Sequence, residues 1–417
     1  MQIPNFSELR GTLSLFRERP WKFKHGFIAG FLLFLSGVLL EIITGGKGLK
    51  PITMPVNIYL AVVFVFLLFY LYFSFRTHWL VKWLSGTPAA LTSIIFLAML
   101  VLLMGFIPQE QSNSPAIFRL TGLSHVKLSW PFLFIEIWVI IGLGLVILRR
   151  SIPYKRKNLG FILNHLGLWL ILVAAGLGAG DISRLAINLI EDGAENNIAV
   201  SEKGEMVKLP FSLKLIDFKI DEYQPRLAFV DAKTGAYLLE KGKTFPMVQK
   251  GLKTTIWNWN ITVEDYSPQV MLIDSVLQNS TLPGSCPAVK IKAVKTGTKD
   301  TISGWISSGS FNQKIVFLRL NEEYILMLTP PEVRKFSSKL LVKKDNSRGD
   351  TVMLEVNKPL KISGWKIYQA GYDQSKGKWS SLSVLEAVRD PWLPVVYLGI
   401  YLLMTGAVYM FWIGRKN

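Results

Sequence analysis

Cysteine is almost absent from this chain. Cys286 stands alone in 417 residues, which excludes an intrachain disulfide and any cysteine-rich zinc or iron–sulfur centre. Histidine is scarce as well: His25, His78, His125 and His165 are the only four. Acidic residues are few, 29 against 47 Lys and Arg, for a formal net charge of +18. There is no phosphate loop, zinc-protease motif or nucleophile elbow, and no Asp or Glu pair falls at a recognisable catalytic spacing. An autonomous hydrolase or ATPase is therefore not expected. Neither an internal repeat nor a low-complexity run occurs. About 26 mixed residues precede the first apolar run and no small-residue cleavage pattern follows it, so a cleavable signal peptide is not expected either.

What the chain has in excess is apolar sequence. Half of it is hydrophobic and 13 residues are Trp, a composition that indicates a membrane protein in contact with the lipid bilayer. About 20 consecutive apolar residues cross a bilayer as a helix. Such runs lie near 27–44, 57–75, 88–107, 132–148 and 159–179, within an N-terminal membrane domain over residues 1–181. A sixth run, 393–413, lies in a C-terminal segment over 391–417 that ends in a short tail. Between them, residues 182–390 contain no spanning run.

Lys and Arg in short loops set orientation. One side receives Arg10, Arg17, Arg19, Lys22, Lys24, Arg76, Lys82, Arg149, Arg150, Lys155, Arg156, Lys157, Arg415 and Lys416. The other receives Lys47, Lys50, Arg119 and Lys127, a bias of 14 against 4. Both termini are expected in the cytoplasm, with 182–390 outside. Topology accounts for the basic charge, and nucleic acid is not an expected partner.

The outer block reads as β. Phe211–Phe218, Val289–Ala293, Trp257–Val263 and Lys314–Leu320 alternate apolar and polar residues, a pattern that suggests a sandwich or open barrel. Residues 270–279 read as a short helix. The expected fold class is thus a polytopic α-helical membrane protein with six transmembrane helices and a large extracytoplasmic all-β domain.

The run Leu159–Asp181 is interrupted by His165. An ionisable side chain in a spanning helix is costly and is a functional candidate by default. At 1.5 Å per residue, His165 lies about 9 Å from the helix start, toward the basic loop. Imidazole is a common axial ligand of haem iron, so His165 is a candidate haem ligand and metal-binding residue. Trp169, four residues on, shares its face, and Gly167 lies between them. A flat aromatic beside a missing side chain suits a planar macrocycle. The bland reading, a histidine hydrogen-bonded to a neighbouring helix, stands beside it. Gly176-x-x-x-Gly180, with Ala174 and Gly178, makes a small-residue face that allows close helix packing.

The remaining candidates are weaker. His25 and His78 are read as interfacial and His125 as an exposed loop residue. Four buried haem ligands, as a di-haem cytochrome b needs, are not on offer. The Arg149–Lys157 cluster either receives the carboxylates of an anionic ligand or merely sets topology. Cys286 is either a reactive thiol or a small buried hydrophobe.

Several stretches resemble the ResB (CcsB) family of cytochrome c biogenesis proteins. They are the histidine-bearing helix Asn164–Gly176, the strand Phe211–Tyr223, the segment Val356–Tyr372 and the return Val388–Gly399 into the last span. Together they cover roughly residues 159–413. Many relatives carry three or four spans before the outer domain, and five are counted here; the resemblance implies a bacterial inner membrane. The resemblance implies a non-catalytic subunit of the System II route. In that route a membrane partner, CcsA (ResC), and the ResB protein carry haem outward for attachment to the Cys-x-x-Cys-His motif of apocytochrome c. It also implies that His165 holds haem transiently, with the other ligand from CcsA. A b-type haem subunit of a redox complex, or a cofactor-free scaffold whose β domain binds partners, are the alternatives.

Overall fold

The computed structural model describes residues 21–109, 114–239, 244–273, 276–298, 300–344 and 349–414. The basic residues Arg10, Arg17, Arg19, Arg415 and Lys416 lie outside the described residues. The chain divides into two compact units. One runs to Ile182 and resumes at Asp390, and the other is Ser183–Arg389.

The first unit holds six helices long and apolar enough to cross a membrane: α1 (Phe23–Ile43), α2 (Val56–Phe75), α3 (Thr87–Phe106), α4 (Trp130–Ser151), α5 (Leu159–Gly178) and α6 (Leu393–Gly414). In lipid only a helix satisfies its own backbone within a single segment, so these Leu-, Phe- and Val-rich runs have no other option. Helix α4 is the hub. In its spanning window 56% of residues are buried, against 11% in α2 and in α6, and it packs on α1, α2, α3 and α5. Ser129 caps its start, where the hydroxyl accepts the Phe132 N–H at 3.4 Å, and Pro131 occupies the first turn. Two apolar cores flank it. Trp83, Phe96, Leu100, Ile135 and Trp138 form one, and Leu68, Tyr72, Ile140, Leu145 and Trp169 form the other.

Helices α5 and α6 run antiparallel and meet backbone to backbone. A Cβ placed on Gly167 would overlap the Gly399 carbonyl and the Leu403 amide, and one on Gly406 would overlap the Asn164 amide. Gly160 likewise faces the Gly406 carbonyl. The Asn164 amide group donates to the Leu403 carbonyl at 3.1 Å across this contact. The contact of α5 with α6 thus runs through Gly160 and Gly167, seven residues apart, while the small-residue face around Gly176-x-x-x-Gly180 packs closely on other parts of the same unit. Gly178 lies on Trp392, Gly180 on the Ile52 carbonyl, and Gly176 opposite Glu136. Beyond α5, Asp181 accepts from the Met54 N–H at 2.8 Å, from the Asn57 side chain at 2.6 Å and from the Trp392 indole at 2.7 Å. That carboxylate ties the starts of α2 and α6 to the end of α5.

The second unit is antiparallel β throughout its strands. Its first strand, Ser183–Ile190, pairs with its last, Leu382–Arg389, so the chain enters and leaves this unit side by side. They lie inside an eight-stranded sheet. That sheet curls until strand Asp350–Glu355 approaches strand Trp365–Tyr372, the open-barrel option of the sequence reading. Alternation along its strands turns one set of side chains inward, and Ile187, Leu189, Phe211, Leu213, Leu215, Leu340, Ile367 and Leu385 form the core. A buried polar bridge crosses the curl, where the Ser338 hydroxyl meets Gln369 at 2.6 Å and Ser383 at 2.8 Å.

Strands Met206–Glu222 and Val333–Lys344 are hydrogen-bonded neighbours, yet residues 227–328 intervene between them. This insertion forms a five-stranded and a three-stranded sheet that share a second core of Phe229, Trp259, Ile261, Ile291, Ile306 and Leu326. The described residues of 270–279 do not form a helix. They belong to strands Trp259–Ile273 and Val276–Asn279, paired from Val270↔Asn279 to Ile273↔Val276. β-Branched Val and Ile at both ends favour the extended form. Of Lys314–Leu320, only Leu318–Arg319 is a named strand. The segment before it is tied down by Gln313, whose amide donates to the Gly284 carbonyl at 2.7 Å.

Candidate functional site

His165 is half-buried on α5. Its Nδ1 lies 2.9 Å from the Phe161 carbonyl one turn earlier. A carbonyl only accepts, so Nδ1 carries the proton and, in the neutral ring, Nε2 keeps its lone pair. Nε2 has no hydrogen-bond partner among the described residues. The Phe161 ring stacks on the imidazole with centroids 3.6 Å apart, and the Arg150 guanidinium sits over the Phe161 ring at 5.4 Å. The imidazole is thus braced on one side and tethered through one nitrogen. That is the arrangement a ligating histidine uses, because the tethered N–H fixes both tautomer and orientation. Arg150 is the residue of the Arg149–Lys157 cluster that reaches this place, and Arg149 turns instead to the Ser85 hydroxyl at 3.1 Å.

Trp169 is buried one turn beyond. Its indole N–H donates to the Ile140 carbonyl of α4 at 3.1 Å, and its ring stacks near Phe64 at 6.4 Å. Its ring therefore packs into the interior of the helix bundle.

The other histidines are in different surroundings. His25 is buried in the first turn of α1, where Nδ1 accepts the Lys22 N–H at 3.0 Å and the ring stacks on Trp21. It opens an aromatic cluster in which Trp21 lies 4.7 Å from Trp79 and 4.9 Å from Trp83. His78 is exposed and caps the short helix Trp79–Leu84. His125 corrects the sequence reading: it is buried, and its Nε2 lies 3.0 Å from Oε1 of Glu41. Sequence reasoning passed over Glu41, although a carboxylate in the last turn of a spanning helix is itself a costly feature.

Cys286 is 2% exposed and begins strand Cys286–Lys295. Burial pushes its thiol above the usual range, and hydrogen bonds from the Ser307 side chain and the Gly309 backbone only partly offset this. It belongs to the core as a small apolar group. Among the described residues no cluster of three or more His, Cys, Asp or Glu could hold a metal ion.

No curated protein matches the chain. Residues 293–385, from the end of strand Cys286–Lys295 into strand Leu382–Arg389, match the ResB-like family. With that segment placed in a large antiparallel β unit, and six helices elsewhere in the chain that mark a multi-pass membrane protein, the chain is similar to the ResB-like family over these residues, a likeness consistent with cytochrome c biogenesis.

Proposed function

We propose that this protein is the haem-handling, non-catalytic half of a membrane complex for cytochrome c maturation, and that His165 is one axial ligand of haem held in transit. One observation carries the reading: a half-buried imidazole in a spanning helix, tethered through Nδ1 to the Phe161 carbonyl, with Nε2 free to ligate. Haem here is cargo. The chain braces the imidazole with Phe161, and Arg150 brings positive charge to the same end of α5, where the carboxylates of an anionic substrate would be received. The basic bias of the loops supports a cytoplasmic side for this end and an outer position for the β unit. A CcsA-like membrane protein would supply the second ligand and the site at which apocytochrome c is joined to haem.

The test is the absorption spectrum of the complex purified with its CcsA-like partner. His165→Ala should remove or loosen the haem, and added imidazole should restore the band if the surrounding cavity is intact. An unchanged spectrum would overturn the assignment. Stoichiometric haem in this chain purified without a partner would favour a b-type redox subunit instead.

A further inference from the structure

Within the bounds of helices α1 to α6 the acidic residues are Glu41 in α1 and Glu136 in α4. They are treated in opposite ways. Glu41 is fully buried and accepts three hydrogen bonds, from the Gly48 N–H, the Trp130 N–H and His125. Glu136 has no hydrogen bond and no ion pair within 4 Å among the described residues, and the cation whose field reaches it is Lys127, in the loop before α4. It lies two turns into α4, about 9 Å from the Trp130 end. A carboxylate at that depth without a donor is costly, and intramembrane acids ordinarily find a basic partner.

The place it faces is open. Glu136 lies against Gly176 of α5, where its carboxylate oxygens come within 3.2 Å and 3.5 Å of the position a Cβ would take. Because Gly176 has no side chain, the carboxylate is left uncovered. Leu168, Ala175 and Gly176 are exposed, and with half-buried His165 and Leu172 they follow one face of α5. Ala175 and Gly176 let another backbone approach closely at the height of the acid.

We propose that this face of α5 is the docking surface for a membrane-spanning helix of a partner subunit, and that the helix carries a cationic hydrogen-bond donor, Arg, Lys or protonated His, that pairs with Glu136. Charge complementarity selects the occupant, since an apolar helix or a lipid tail would leave the carboxylate unpaired. The inference rests on the reading that a second membrane subunit shares haem with His165. It adds where that subunit sits and what anchors it, about 16 Å farther along α5 than the imidazole.

The experiment places the photo-crosslinker p-benzoylphenylalanine at Leu172 in the full chain in native membranes. The adduct is mapped by mass spectrometry, with the yield normalised to the amount of protein in the membrane. The expected adduct lies on a spanning segment of another protein with a basic residue at the depth of Glu136. Its yield should fall about tenfold in Glu136→Leu and by less in Glu136→Gln. Adducts only with lipid, adducts only with a second copy of this chain, or a yield unchanged in Glu136→Leu would each overturn the proposal. A Glu136-dependent adduct in a complex whose haem spectrum ignores His165→Ala would sustain the docking surface while removing the haem assignment.

Discussion

His125 Nε2 lies 3.0 Å from Glu41 Oε1, joining residues 84 positions apart at one end of the helix bundle. The carboxylate also holds Gly48 at 2.9 Å and Trp130 at 3.1 Å, so it fixes the loop after α1 and the start of α4 together. Removing one member of a buried, hydrogen-bonded pair leaves the other without compensation. His125→Ala should therefore destabilise the protein by about 3–5 kcal/mol in thermal unfolding in detergent. A loss under about 1 kcal/mol would show that the pair is not structural.

The α5–α6 contact makes a sharper contrast. Gly167→Ala pushes a methyl group into the backbone of α6 and should cost about 1–3 kcal/mol. Gly105→Ala in α3 meets open space, so it should be neutral or should stabilise by up to about 1 kcal/mol through helix propensity. Equal melting temperatures for the two variants would contradict the packing described above.

Trp169 separates stability from haem. Trp169→Phe removes the indole bond to the Ile140 carbonyl and should cost about 1 kcal/mol. The haem spectrum of the complex should stay as it is, in contrast to His165→Ala. A spectral shift in Trp169→Phe would restore the indole as part of the haem pocket.

Cys286 should resist alkylation by N-ethylmaleimide at neutral pH in the folded protein, because the thiol is buried and its pKa is raised by that burial. Full reactivity should appear only on unfolding in denaturant. Rapid labelling of the native chain would reopen a redox role.

Acid sensitivity should report on Glu355. Lys335 and Lys358 each donate to it at 2.7 Å and hold its pKa at about 2, down from 4.5. A depressed carboxylate pKa adds stability above the unfolded value, and that stability is lost as pH falls through the folded one. The gap in stability between the native protein and Glu355→Gln should therefore be constant above about pH 4.5 and close by about pH 2. Circular dichroism of the full chain across that range measures it, and a gap that persists at about pH 2 would refute the linkage. The pair is exposed to solvent, so the effect is small.

Much of this architecture is written locally. A run of about 20 apolar residues is already sufficient for a spanning helix, and alternation at period two is sufficient for a strand half-buried in a sheet. Hence six helices, the β character of Phe211–Phe218 and the oddity of His165 in an apolar run were all readable from residues near one another. The exception, residues 270–279, failed because a short apolar segment suits either form until a partner strand is present.

What the tertiary structure decided depends on residues distant in the chain. Nothing local to His125 announces Glu41, and nothing in α5 shows that Gly160 and Gly167 will meet Gly406 and Gly399. Periodicity marks which residues avoid water, but not which face meets which neighbour, nor which buried charge finds its donors. Glu41 and Glu136 are the same residue type in the same kind of helix, and composition cannot tell them apart. The fold surrounds one with donors and leaves the other open at the edge of a glycine gap, because satisfaction of a buried charge is set by three-dimensional neighbours.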